Sequence, residues 1–372
     1  MMGRLSECTS LIRWTGPLAE RKEETHLLHW DGSLSPMQTA ASQKMAEAVH
    51  NPKELLIWAV CGAGKTEILF EGIQAALQAG KNVCLATPRT DVVLELEPRF
   101  RKVFPSVTIS ALYGGSEDRY KPAMLTLATT HQLLRYYHAF DVMIIDEVDA
   151  FPYSMDATLQ NAVNMAIKPL STLIYLTATP SYKMQQKVAR KKMEAIKIPG
   201  RYHGQPLPEP RFDWAWNWKK KLEKGMLPAS VDKWISSHLA EKKQAFLFVS
   251  NINVLKEITT LLKKRNQAIE GIYAEDPERK EKVRKFRTGE TPLIVTTTIL
   301  ERGVTIKNSD AAVLGAEDSV FTESALVQIS GRVGRHADFP SGDVVFFHHG
   351  KTEAMLKAKE HIQIMNRLAG KR

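Results

Sequence analysis

The chain has 372 residues, 44% of them apolar and 25% charged, with a formal net charge of +10. That much apolar material suits two ordinary domains with cores of their own. Three cysteines exclude a disulfide framework, and the lack of a run of about 18 apolar residues argues against a membrane-spanning helix. Residues 1–30 show no secretory signal, so a cytoplasmic location is expected. The positive charge favours a polyanionic partner, nucleic acid or an anionic membrane surface, over solubility charge alone only once other features join it.

In chain order, residues 1–30 read as a lead-in and 31–200 as a first domain. A helical pattern covers 37–49. Apolar runs at 55–60, 83–86, 125–128, 142–145 and 173–176 read as buried parallel strands. Helical patterns over 66–79, 91–101 and 131–138 separate them. Strands alternating with helices imply a parallel sheet that takes ligands at its carboxyl edge. Residues 201–231, with Pro206-Leu-Pro-Glu-Pro210 and alternating tryptophans, read as a linker with local structure. A second set of the same kind fills 232–350, with strands at 245–249, 269–273, 293–296, 311–314 and 344–347. Residues 351–372 read as a terminal helix. Its apolar positions Met355, Leu356, Ile362, Ile364 and Met365 pack on the second domain, or serve an oligomer or partner contact.

Three motifs carry the chemistry. The first is Ala59-Val-Cys-Gly-Ala-Gly-Lys-Thr66, set between a strand and a helix. Its glycines Gly62 and Gly64 let the backbone of Val60, Cys61 and Ala63 wrap a phosphate at a helix N-terminus. Lys65 then reaches the β- and γ-phosphates, and Thr66 ligates magnesium, with Glu67 following. Ala59 stands where the strict pattern has glycine, and a lone Gly-Lys-Thr would be weak. The second motif, Asp146-Glu-Val-Asp149, follows an apolar strand. Asp146 is expected to hold magnesium and Glu147 to orient the attacking water; alone, such a cluster would only cap a helix. The third is Gln328-Ile-Ser-Gly-Arg-Val-Gly-Arg335, in a helical stretch over 322–335. Spacings of four and three place Gln328, Arg332 and Arg335 on one helix face, where the arginines can stabilise charge on a γ-phosphoryl. Hydrolysis is then expected to need both domains closed on one nucleotide.

With these motifs the chain resembles the superfamily 2 helicases, which implies two tandem RecA-like domains, each a mostly parallel sheet flanked by helices in the α/β class. The resemblance implies that Gln38 of Leu34-Ser-Pro-Met-Gln38 reads adenine and that Gly303 of Glu301-Arg-Gly-Val304 serves the nucleotide. It implies that Thr177-Ala178-Thr179 couples hydrolysis to movement. The strand-binding loops would be Thr87-Pro88-Arg89, Gly114-Gly115 and Thr129-Thr130 in the first domain, and Ser250, Thr297 and Thr298 in the second. Small hydroxyl residues and free N–H groups suit phosphate tracking without base reading, and Arg89 supplies charge.

The resemblance narrows further. LLIWAVCGAGKTEILFEGIQAAL, ATPRTDVVLELEPRF, LYGGSEDR, ATTHQLLR, AFDVMIIDEVDAFPYS and RYHGQPLPEP are similar to the ComFA family of competence ATPases, from about residue 3 to the end. That implies a cytosolic motor, using ATP and Mg2+, which moves on single-stranded DNA and helps draw transforming DNA inward. The implied partners are the inner-membrane DNA channel, which would recruit the motor to the inner face of the membrane, and a phosphoribosyltransferase-like protein. The family also carries a four-cysteine zinc module, ending near a segment like Met2-Gly-Arg-Leu-Ser-Glu-Cys8. One thiol cannot build a tetrahedral site, so no zinc is expected here.

Other features have two readings each. Trp214, Trp216 and Trp218, followed by Lys219-Lys-Lys221, point to one face by period two; they stack on bases, or they form core under the linker. Lys187, Arg190, Lys191 and Lys192 read as a solvated helix face, and His131 as a structural cap. Three functional classes stand at this point: a single-stranded DNA translocase of DNA uptake, a superfamily 2 helicase of replication restart or RNA metabolism, and a non-enzymatic nucleic-acid scaffold.

Overall fold

A computed structural model describes residues 27–118, 121–298 and 306–370. It divides into two compact units: one holds the described residues up to Ala59 with Gly64–Ile198, the other Val60–Ala63 with Pro199–Arg372.

The first unit runs α1 (Pro36–His50), β1 (Glu54–Ala59), α2 (Lys65–Gln78), β2 (Val83–Thr87), α3 (Thr90–Val103), β3 (Ile109–Leu112) and β4 (Leu125–Thr129). A 3₁₀ turn over Thr130–Arg135 leads to β5 (Phe140–Asp146), α4 (Ala157–Ala166), β6 (Ile167–Thr177), α5 (Tyr182–Ala189) and β7 (Glu194–Ile198). The strands form one sheet in the order β3-β4-β2-β5-β6-β1-β7, paired in parallel throughout. Central strands of such a sheet are covered on both faces, which is why β2 and β4 are buried at every position. Helix α1 starts at a capping box in which Ser35 Oγ accepts the Gln38 N–H and Gln38 Oε1 accepts the Ser35 N–H. Phe70 of α2 meets Phe100 and Phe104 edge-on at 5.7 and 6.2 Å, tying α2 to α3.

The second unit runs β8 (Arg211–Trp214), α6 (Trp218–Glu223), α7 (Ala229–Ala240), β9 (Gln244–Phe248), α8 (Ile252–Lys263), β10 (Glu270–Ile272) and α9 (Arg279–Arg287). It continues with β11 (Leu293–Thr296), β12 (Ser309–Leu314), α10 (Glu323–Ser330), β13 (Val344–His348) and α11 (Glu353–Gly370). Its sheet order is β10-β11-β9-β12-β13-β8, again parallel. At the amino ends of its central strands Asp310 accepts from His238 Nε2 at 2.9 Å and pairs with Lys243 at 2.8 Å. Burial alone would lower the His238 pKa, but the Asp310 carboxylate and the Trp234 carbonyl hold it above its ordinary value.

The stretch 201–231, expected as a linker with local structure, is grouped with the second unit. That stretch supplies β8, hydrogen-bonded to β13 as the sheet edge, and α6, whose Trp218 and Leu222 join the core. The helix expected over 131–138 is a short 3₁₀ turn ending at Arg135. In α11, Met355, Ile362 and Met365 are buried, whereas Leu356 and Ile364 are exposed. Among the described residues no helix is long and apolar enough to cross a membrane.

Candidate nucleotide and nucleic-acid site

The turn after β1 follows from its glycines. Gly62 and Gly64 hold φ of +82° and +70°, the left-handed region where a Cβ is strained, and Gly64 is the N-cap of α2. Lys65 and Thr66 therefore begin a helix whose first amides face the turn. Gln38 lies against this turn: a Cβ on Gly64 would come within 2.4 Å of Gln38 Nε2. Glu67 instead ion-pairs with Arg99 of α3.

Asp146 is the last residue of β5, and Glu147 after it has a left-handed φ of 58° with its N–H bonded to Asp146 Oδ1 at 2.9 Å. Strain of that kind is stored at functional sites. Asp146 pairs in register with Leu176 and Trp58 with Thr177, so Thr177 at the end of β6 sits between the ends of β5 and β1. Thr177 Oγ1 donates to Asp149 Oδ1 at 2.5 Å, Thr179 Oγ1 donates to Asp149 Oδ2 at 2.9 Å, and the Thr179 N–H donates to Thr177 Oγ1 at 2.9 Å. Ala178 O accepts from Trp58 Nε1 at 2.9 Å, which anchors the same tripeptide to β1. Asp149 was quoted in the motif without a role; its spacing from Asp146 held no sign that it would bind hydroxyls thirty residues away.

The expected strand-binding loops of the first unit leave the same carboxyl edge from β2, β3 and β4. Gly114 and Gly115 are exposed and Arg89 is half-buried near Asp91, 3.7 Å away. Thr87, Pro88, Thr129 and Thr130 are buried, and the Thr87 and Thr130 hydroxyls have no hydrogen-bond partner among the described residues. These residues end central strands, where both faces are covered, so any contact with a strand falls to their backbone rather than to the buried hydroxyls. In the second unit Ser250 follows β9 and Thr297 and Thr298 follow its neighbour β11, all three half-buried. Gly303 and Cys8 lie outside the described residues.

The arginine motif is not one helix face. Helix α10 ends at Ser330, with Gly331 as its C-cap. Arg332 N and Val333 N bond back three residues, to Ile329 O and Ser330 O, and Gly334 takes φ +68°. A Cβ on Gly334 would meet the Pro340 carbonyl oxygen at 2.3 Å, so the turn requires glycine there. Gln328 stays on the helix, while Arg332 is buried with its guanidinium 5.8 Å from the Phe246 ring centre and Arg335 Nε donates to Gly331 O at 2.9 Å. Cys61, grouped in this unit, donates from Sγ to Gln328 Oε1 at 3.0 Å.

Arg201 is the residue the sequence did not single out. Buried, it donates from one guanidinium nitrogen to Gly334 O at 2.5 Å and from the other to Val333 O at 2.7 Å and Gly331 O at 3.4 Å. Burial pushes its pKa down to about 10, still charged at neutral pH. The carbonyls left open at the end of α10 are thus closed by a side chain about 130 residues away in sequence.

A glycine turn, a strand-end carboxylate and a threonine pair at the edge of one parallel sheet, together with a second parallel sheet carrying an arginine turn, define a two-domain, RecA-like, helicase-type ATPase. Residues 31–182 match the family model described as Type III restriction enzyme, res subunit, and residues 228–337 the helicase conserved C-terminal domain. Competence protein ComFA of Bacillus subtilis is 53% identical over 371 residues, all of this chain and 80% of that protein. ComFA of Streptococcus pneumoniae is 39% identical, over 92% of this chain and 80% of that one. The chain belongs to the ComFA family of competence proteins. At the level of fold it is similar to Dbp5 of S. cerevisiae bound to RNA and ADP BeF3, with 15% identity and a TM-score of 0.63 over 89% of this chain and 91% of that one.

Proposed function

We propose that this chain hydrolyses ATP under stimulation by single-stranded DNA and moves along the strand, drawing transforming DNA inward during natural competence. The observation that carries the reading is the knot of Thr177 and Thr179 on Asp149, two residues beyond Glu147 in a chain of the ComFA family. It joins the carboxylate turn of a nucleotide site to a tripeptide on the neighbouring strand, so a change at one is felt at the other.

The residues fit a magnesium nucleotide: two left-handed glycines, a lysine and threonine opening a helix, and a strand-end aspartate on the same sheet edge. When bound, the magnesium ion neutralises phosphate charge. Lys65 and the first amides of α2 would hold phosphate oxygens, Thr66 and Asp146 the cation, and Glu147 the attacking water, with Gln38, Glu67, Gly303 and the turn residues 59–64 around the nucleotide. Gln328, Arg332 and Arg335 would stabilise charge on the transferred phosphoryl. Arg89, Gly114, Gly115, Ser250, Thr297 and Thr298, with the backbone of Thr87, Pro88, Thr129 and Thr130, would follow the strand. The proposed setting is the cytoplasm, at the inner face of the membrane, with the DNA channel and a phosphoribosyltransferase-like protein as partners.

Hydrolysis measured without nucleic acid and with single-stranded DNA, duplex DNA or RNA tests this. Single-stranded DNA should raise the rate most, and Lys65→Ala should abolish it. Equal stimulation by RNA would move the chain to RNA metabolism; no hydrolysis in the wild type would remove the motor altogether.

A further inference from the structure

The three tryptophans do not act together. Trp218 is 2% exposed and donates from Nε1 to Glu317 Oε1 at 2.8 Å, so it is core. Trp214 and Trp216 are 50% and 58% exposed, and their rings stack on each other at 5.8 Å and 17°. Two indoles held side by side in water leave a large apolar area uncovered, which single scattered residues do not. Their backbone is fixed. Ala215 N donates to His348 O at 2.7 Å, Trp214 N to Asp213 Oδ1 at 2.8 Å, and Ser230 Oγ to Trp214 O at 2.9 Å. The Trp214 ring also meets the buried His348 ring edge-on at 5.2 Å. The pair is therefore a preset surface rather than two loose side chains.

Its surroundings are basic. Phe212, two residues earlier, has Lys351 Nζ and Lys359 Nζ at 5.5 and 5.2 Å from its ring centre. Lys219 and Lys220, both exposed, follow on α6. The nearby acids are engaged: Asp213 with Arg211 at 3.1 Å, and Glu317 with Trp218 and His349. The pair stands at the carboxyl end of β8, three strands from β9 and its Ser250 loop in the same sheet. At about 4.8 Å per strand that is roughly 14 Å, within reach of one bound strand a few nucleotides long.

We propose that Trp214 and Trp216 form a base-stacking platform for single-stranded nucleic acid, outside the motif loops, with the lysines on either side drawing the phosphates. This rests on the reading of the chain as a single-strand motor. Flat π faces accept any base, which suits a motor that must not read sequence. Protein interfaces are depleted in lysine, whereas the cations flanking this pair are lysines.

Single-strand binding by the full chain, followed by fluorescence anisotropy with a labelled oligothymidine of about 20 nucleotides, tests it beside thermal melting. Trp214→Ala/Trp216→Ala should melt as the wild type does and bind about 5- to 150-fold more weakly for each stacked base lost. Trp214→Phe/Trp216→Phe should recover most of the affinity, and quenching of tryptophan emission by the oligonucleotide should shrink in the alanine variant. Unchanged affinity in a folded alanine variant would overturn the platform, and would leave the pair to a protein contact, while the motor reading survives. Absence of binding by the wild type would overturn both.

Discussion

At the residue scale, Asp149 shows how a motif letter gains a role only from its partners. Its two carboxylate oxygens accept one hydroxyl each, from Thr177 and Thr179, and bonds to a charged acceptor are stronger than neutral ones. Asp149→Asn keeps the shape but replaces one acceptor by a donor facing a hydroxyl that also donates. The expected loss is about 2 kcal/mol, seen as a fall of about 4–8 °C in the melting of a unit of this size. Hydrolysis stimulated by single-stranded DNA should fall further than nucleotide affinity, because Asp149 bonds the Thr177 and Thr179 hydroxyls and not the glycine turn. A variant with normal stimulated hydrolysis would remove Asp149 from the coupling. Gly64 is the contrasting case: its left-handed φ was readable in advance, since a phosphate turn demands glycine there.

At the element scale, legibility followed burial. Strands β1, β2, β4, β5, β9, β11, β12 and β13 are mostly buried and carry largely apolar runs, so the two sheets could be outlined from sequence alone. The short edge strand β8, Arg-Phe-Asp-Trp, carries half-polar residues and was taken for linker, and β3 is only four residues long. The end of α10 was misplaced because Gly331 caps the helix ahead of both arginines and Gly334 turns the chain between them, although helical spacing had placed the two on one face. Arg201 was invisible for another reason, since capping over about 130 residues leaves no local signature. Its guanidinium fork closes three carbonyls of the arginine turn, a task that a lysine ammonium, as a single point donor, cannot copy. Arg201→Lys should therefore fold, bind nucleotide with unchanged affinity, and lose at least tenfold in hydrolysis, as Arg332 and Arg335 lose their fixed setting. A fluorescent ATP analogue for binding, beside phosphate release for turnover, separates the two effects. Normal turnover would mean that the turn holds its shape without the cap.

At the scale of the whole molecule, the net charge of +10 says little until it is placed. Many of the cations are spent internally: Lys243 on Asp310, Lys282 on Asp276, Arg284 on Glu281 and Arg201 on carbonyls. Those that remain beside the proposed stacking pair are Lys219, Lys220, Lys351 and Lys359 of the second unit, about four phosphates' worth. Each neutralised phosphate of a single strand contributes about −0.7 to the slope of log affinity against log salt. The slope for oligothymidine should then lie near about −3, a loss of roughly 50-fold between about 50 and 200 mM salt. Lys351→Gln should make the slope shallower by about 0.7, whereas a lysine that serves solubility alone would leave it unchanged. Hydrolysis without nucleic acid should barely respond to the same salt range, since the contacts proposed for the nucleotide, backbone amides and short-range side chains, are screened poorly by mobile ions. Parallel loss of basal and stimulated rates would show that salt acts on the nucleotide site, and the charge would then have no special bearing on the strand.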